Sequence, residues 1–245
     1  MITADISVII PSYNGQEFIA EAIQSINKQT YPVKEIIIVD DESTDATEKI
    51  VLKQAGNIRF IKQKHTGMPA YGRNRGVIAA LGEYIAFLDQ DDWWPKNKLA
   101  IQINNFMNMP GLHIDVGFTK TVNSPEMKMN DSYLLSENDR HFLLSSMLIR
   151  KTVFDQVGLF DETMQYYGSD LDWVFRAKEN KLFFNIHKEV TLYYRWHDNN
   201  HSKNIEMSKK ARIEVMKKSL LRRKVANSNV FKATSEFKTS SNKNP

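Results

Sequence analysis

Short apolar runs rich in β-branched residues alternate with segments of helical spacing over the first hundred residues, and nothing else in the chain constrains the fold as much. Residues 6–10 (ISVII), 35–39 (EIIIV), 58–62 and 84–88 (YIAFL) read as strands. Between them, 15–29 place Phe18, Ala22, Ile23 and Ile26 at helical spacing. Residues 43–55 follow as a helix with Ser43 or Thr44 as N-cap, and 68–81 as another. Apolar strands separated by helices predict an α/β fold whose mostly parallel sheet is covered on both faces. Ligands in such sheets bind beyond the carboxyl ends of the strands. Those ends carry Pro11-Ser12-Tyr13-Asn14, Asp40-Asp41, the loop around His65-Thr66-Gly67, and Asp89-Gln90-Asp91-Asp92.

Composition narrows the class. At 42% hydrophobic and 25% charged, the chain of 245 residues is ordinary globular protein. No apolar run reaches the roughly 18 residues of a membrane span, and the N-terminus shows no signal peptide. Cysteine is absent, which excludes disulfide scaffolds, thiolate metal sites and cysteine nucleophiles. A cytoplasmic, reducing environment is expected. The second half is less regular, with an irregular stretch at 120–140, an apolar segment at 142–149, a helix at 170–180 and a strand at 190–195. Residues 206–224 hold eight Lys and Arg against two Glu, a local charge of +6, so the rest of a chain of net +4 sums to −2. The basic character belongs to that segment, which weakens any case for nucleic acid. It also mixes Ile213, Val215, Met216, Leu220 and Leu221 with its cations, so it is either a peripheral contact for an anionic membrane or a solvated helix covering the core. Residues 226–245, rich in Asn, Ser, Lys and Thr, predict a disordered tail.

Nucleotide fingerprints of other kinds fail. No GxGxxG follows the first strand. Gly67 and Gly72 have P-loop spacing, but Arg73 and Asn74 replace the Lys and the magnesium-binding hydroxyl. What remains there is either a helix start that attracts phosphate with help from Arg73, or a plain loop. His197 and His201 are four apart but separated by turn residues, which argues against a helical zinc motif. The acidic cluster is more telling. On a strand, Asp89 and Asp91 would project to one face, where like charges repel and a divalent cation bound with phosphate oxygens is the usual remedy. Asp92 alone would suffice to cap the helix near Pro95. Asp40-Asp41 repeats the pattern, with one residue available to cap and the other to accept a hydrogen bond from a base or ribose.

Taken in order, VIIPSYN (8–14), VDDESTDAT (39–47), GRNRG (72–76) and FLDQDDWW (87–94) resemble the donor half of a family 2, GT-A fold glycosyltransferase. GSDLDW (168–173) and YYRWH (193–197) resemble its acceptor-side motifs. The resemblance implies a domain over 1–205, with 1–110 binding the nucleotide-sugar and 111–205 the acceptor, followed by a basic helix over 206–225. It implies that Pro11 and Tyr13 line the base pocket, Tyr13 by stacking on uracil, and that Asp41 accepts the base N–H. Arg73 then lies near base and diphosphate, Gly67 joins the donor-binding set, and Asp89 lies near the ribose. Asp91 binds Mn2+ or Mg2+, with His197 close to diphosphate or metal, and Asp170 is the general base. The family commonly has Glu where Ser169 stands. Inverting transfer of one sugar from a UDP-sugar is implied, to a saccharide, lipid-linked or peptide acceptor. A sugar-nucleotidyltransferase and a non-catalytic nucleotide-sugar-binding protein are the rivals. Residues 120–140 and Tyr166-Tyr167 are expected on the acceptor side, and Trp93 and Trp94 are read either as sugar-stacking rings or, for at least one of them, as core packing.

Overall fold

A computed structural model describes residues 4–122, 143–164, 168–197 and 204–240. Its centre is a 7-stranded sheet built from β1 (Ile6–Ser12), β2 (Glu35–Asp40), β3 (Ile58–Lys62), β4 (Tyr84–Phe87), β5 (Ile114–Val122), β6 (Met147–Arg150) and β7 (Phe184–Arg195). The order across the sheet is β3-β2-β1-β4-β6-β5-β7. β6 alone runs against its neighbours, and every other pairing is parallel. Both halves of the chain share this sheet, so the described residues through β7 form one α/β unit.

The helices are α1 (Ile19–Asn27), α2 (Thr47–Val51), α3 (Pro69–Ala79), α4 (Lys98–Asn108), α5 (Val153–Val157), α6 (Ser169–Glu179) and α7 (Ile205–Ser240). Strand alternation sorts the core into two layers, because successive side chains leave a strand on opposite faces. Val8, Ile10, Ile36 and Ile38 meet α1 and α4 through Ile19, Ile23, Leu99 and Ile103. Ile9, Ile37, Val39 and Phe87 meet α3, α5 and α6 through Val77, Phe154 and Trp173. Trp93 and Trp94 are both buried at 0% and 1% exposure, so neither is available to stack on a sugar.

Several local expectations change. The helix expected over 43–55 shrinks to α2, and its first turn is served by Asp45, which accepts the Thr47 amide at 2.9 Å, rather than by Ser43 or Thr44. β5 alternates Ile114, Val116 and Phe118 with Asp115, Gly117 and Thr119, a strand pattern that adds to the elements expected above, and α5 is a single short helix of five residues. The C-terminal helix continues through Ser240, where composition predicts a tail from 226. Lys98 is fully buried between α4 and β6, donating to Gln102 and to the Met147 carbonyl; burial pushes its ammonium down to about 7.

The GRNRG segment explains how α3 reaches the sheet. A Cβ on Gly76 would stand 2.4 Å from Ile9 Cγ2, and one on Gly72 would stand 3.1 Å from Pro11 Cβ. Two missing side chains let the helix lie against β1, and that approach carries Arg73 to the carboxyl edge. Gly76→Ala should add about 1–3 kcal/mol of packing strain, outweighing the roughly 1 kcal/mol that alanine returns in helix propensity. A urea melt should show a lower midpoint with an unchanged slope.

Candidate active site

The carboxyl ends of β1 and β2 lie level, since Ser12 pairs with Asp40, while β4 ends at Phe87 opposite Ile9, three residues short of the end of β1. Past β4 the chain turns sharply, and the Asp92 amide bonds the Asp89 carbonyl at 3.1 Å. Asp89 and Asp91 therefore converge through a turn, not through the pleat of a strand. Asp92 is not a helix cap. Its carboxyl is buried and accepts the Arg195 amide at 2.9 Å, while α4 begins at Asn97 without a side-chain cap.

Charge crowding in this turn is visible in its acidities. Burial, followed by the charges of Asp91 and Asp89, pushes the Asp92 carboxyl well above its ordinary range, with Arg195 opposing. Asp89 is raised as well, chiefly by the protein around it; Arg73 pulls it down while Asp91 and Asp170 push it up. With 39% of its side chain open to solvent, Asp89 keeps a face towards the cleft. Arg73 bonds its Oδ1 at 3.2 Å, and the Ser145 hydroxyl lies 3.2 Å from Oδ2.

Asp91 and His197 meet directly, with Nε2 2.9 Å from Oδ2. The His197 ring packs on Phe18, centroids 5.1 Å apart. Arg195, two residues earlier on β7, is buried and ties the region together. Its Nε donates to the Asp91 carbonyl at 2.9 Å, a terminal nitrogen pairs with Glu21 of α1, and its guanidinium covers the Trp93 ring at 4.4 Å. The sequence reading of YYRWH singled out His197 and gave Arg195 no part.

A second group lies along the β1–β2 side. Tyr13 is 44% exposed and its ring stands 4.3 Å from that of His65. Asp41 is turned onto the loop that carries His65: it accepts from Gln63 Nε2 at 2.7 Å, from Thr66, and from the Gly67 amide at 2.9 Å. Burial opposes this, yet those bonds outweigh it and hold the carboxyl below its ordinary value. Gly67 adopts φ +69°, the left-handed conformation that glycine takes without a Cβ clash. Pro11 packs against α3 at Gly72. Asn14 and Ser43 link the two loops, the Asn14 amide donating to Ser43 Oγ at 2.8 Å.

Gln90 joins the two groups, and the sequence reading assigned it nothing. Its Oε1 accepts from Ser12 Oγ at 2.7 Å and from the Tyr13 amide at 3.1 Å, while its Nε2 donates to the Tyr13 carbonyl at 2.9 Å. Only the tertiary approach of β1 and β4 gives a glutamine between two aspartates this task.

Across the cleft, Asp170 is the second residue of α6. The N-cap is Gly168 and no side chain caps the helix, so Asp170 is not a cap; its Oδ1 accepts the adjacent Leu171 amide at 2.7 Å. Asp172 is fully committed elsewhere, to Arg176 and Arg222 at 2.9 Å each, which leaves Asp170 as the α6 carboxylate whose charge bears on Asp89. Ser169 is buried at 4% exposure. His201, Tyr166, Tyr167 and most of 120–140 lie outside the described residues.

Among the described residues no three His, Asp or Glu side chains form a metal-holding group. Asp91 and His197 fit a cation that takes its remaining ligands from diphosphate oxygens and water, the usual arrangement for a hard ion at a phosphate site. The excess of carboxylates in the turn supplies the charge such an ion would balance.

A mostly parallel sheet with helices on both faces and an acidic carboxyl edge defines a GT-A type α/β protein. The chain belongs to glycosyl transferase family 2, whose model matches residues 7–173. It is similar to an uncharacterised glycosyltransferase of Rickettsia typhi, 31% identical over 79% of this chain and 64% of the relative. It is 40% identical, over 40% of each chain, to the Escherichia coli UDP-Glc:alpha-D-GlcNAc-diphosphoundecaprenol beta-1,3-glucosyltransferase WfgD. Among solved structures it is similar to S. aureus TarS 1–349 in complex with UDP, with TM-score 0.63, 25% identity, and coverage of 78% of this chain and 60% of that one. The chain thus spans less than two thirds of these relatives.

Gln90→Ala should leave Ser12 and Tyr13 without their partner and cost about 1–3 kcal/mol. A urea midpoint at the wild-type value would show that water replaces the amide without loss.

Proposed function

We propose that the protein is an inverting, metal-dependent glycosyltransferase that moves one sugar from a UDP-sugar to a hydroxyl of a carbohydrate acceptor, in polysaccharide or glycoconjugate synthesis. The observation that carries this is the cluster beyond the carboxyl edge of the sheet: Asp91 with His197, Arg73 with Asp89, and Asp170 near enough for its charge to act on Asp89. Family membership, the UDP complex of TarS and the UDP-Glc donor in the name of WfgD support the donor class.

The exposed Tyr13 face and the His65 ring beside it suit a planar base. Asp41 spends both carboxylate oxygens on the Gln63–Gly67 loop, so it shapes the wall beside Tyr13 by holding that loop, and accepting an imide N–H would require it to release one of those bonds. Arg73 offers its guanidinium to a diphosphate once Asp89 turns to a ribose hydroxyl. Asp91 and His197 would hold Mn2+ or Mg2+, which supplies Lewis-acid neutralisation of charge on the departing nucleoside diphosphate. Asp170 takes the proton from the acceptor hydroxyl, whose oxygen attacks the anomeric carbon from the face opposite the nucleotide. The new C–O bond forms as the bond to the diphosphate breaks, which inverts the configuration. The first turn of α6 favours a carboxylate here through its exposed amides.

Turnover of a donor panel with manganese should release UDP. Pyrophosphate release would identify a nucleotidyltransferase, and a donor-induced rise in melting temperature without release would identify a binding module. Asp170→Asn should retain donor binding and folding but lose at least about a hundredfold in transfer. Asp91→Asn should abolish the manganese dependence of diphosphate binding, and unchanged manganese-dependent turnover would remove Asp91 from this role.

A further inference from the structure

Over residues 206–225, the buried positions of helix α7 lie along one side. Ala211, Val215 and Ser219, spaced by four, are buried. Lys218 pairs with Asp161 at 2.7 Å, and Arg222 pairs with Glu179 at 2.6 Å and Asp172 at 2.9 Å. These contacts fix the rotation of the helix. The opposite side then presents Lys209, Ile213, Met216, Leu220 and Lys224, which follow one another at steps of four and three and so form a single stripe. Ile213, Met216 and Leu220 are 53%, 57% and 55% exposed, and Leu221 beside them is 62% exposed. Lys217, Arg212 and Arg223 flank the stripe and are exposed too. Val215, which composition alone groups with the other apolar residues, faces the opposite way.

We propose that this face of α7 docks on an anionic phospholipid bilayer, lying in the interface with the apolar ridge among the acyl chains and the cations among the headgroups. An apolar ridge bordered on both sides by cations has the charge pattern of such a surface. A second copy of the chain is a poorer occupant, because self-pairing through this face would set cation against cation. Among the described residues no helix is long and apolar enough to cross a membrane, so the contact is peripheral. Its position adds a consequence. A Cβ on Gly168 would stand 3.3 Å from Ala211 Cβ and 3.4 Å from Val215 Cγ2, so α7 lies against the segment that leads into Asp170. A bilayer bound to the outer side of α7 stands about one helix diameter, roughly 10 Å, from that segment. Delivery of a lipid-borne acceptor to Asp170 rests on the transferase reading; the docking itself does not.

The test is sedimentation of the full chain with vesicles of phosphatidylcholine alone or with added phosphatidylglycerol, scored without any activity measurement. Binding should require phosphatidylglycerol and weaken with salt. The exposed-residue variant K209Q/K217Q/K224Q should bind about a hundredfold more weakly, at about 1 kcal/mol per cation. I213S/M216S/L220S should lose binding while its thermal unfolding stays at the wild-type temperature. No binding, binding equal on both vesicle types, or wild-type binding by either variant would overturn the proposal. So would a dimer in analytical ultracentrifugation that the serine variant dissolves, since the ridge would then be a contact between copies.

Discussion

Asp89, Asp91 and Asp92 share one tight turn, and their mutual repulsion sets the terms for the structure around them. No single cation answers it. Arg73 arrives from α3, Arg195 and His197 arrive from the end of β7, and Asp92 is driven towards its neutral form by burial beside two charges. The residual negative charge on the open side of the turn is what a metal and a diphosphate together would satisfy. The charge crowding that burdens the turn is thus also what the proposed chemistry needs.

Positioning these cations depends on packing some distance from them. Arg73 reaches Asp89 because Gly72 and Gly76 let α3 settle onto β1. Arg195 reaches the Asp91 carbonyl because β7 runs parallel to β5 and ends level with the turn, and Glu21 of α1 holds its far nitrogen. Gln90 bonds both the backbone amide and the backbone carbonyl of Tyr13, so the Tyr13 loop and the acidic turn are tied together. Buried polar groups that are fully paired make rigid supports, whereas one lost partner leaves an uncompensated group.

The proposed acceptor side is organised around α6. Of its first two aspartates, Asp172 is buried and locked to Arg176 and Arg222, and Asp170 is left as the carboxylate whose charge bears on Asp89. Through Arg222, Lys218 and the contact of Gly168 with Ala211 and Val215, α7 is fastened to α6 and to the segment that leads into it. The same contacts decide which of its residues face outward, so the helix that completes the core also defines an exposed basic and apolar surface.

The strand–helix alternation and the gathering of acidic residues beyond the sheet's carboxyl edge are legible in the sequence, because apolar periodicity and short-range motifs are local properties, and the family resemblance singles out Asp89, Asp91, Arg73, Asp170 and His197 as candidates. The path of the sheet beyond β4 is not, since strand order and the antiparallel sense of β6 are set by pairing between segments distant in the chain. Neither is the burial of both tryptophans, nor the turn of Asp41 towards Gln63 and Gly67. The roles of Gln90, Ser145, Glu21 and Arg195 depend on partners dozens of residues away, and no local pattern announces a partner at that distance. Which side of α7 faces outward is the same kind of fact. A one-dimensional pattern states what each residue can do, and only the packed chain decides which neighbour it does it with.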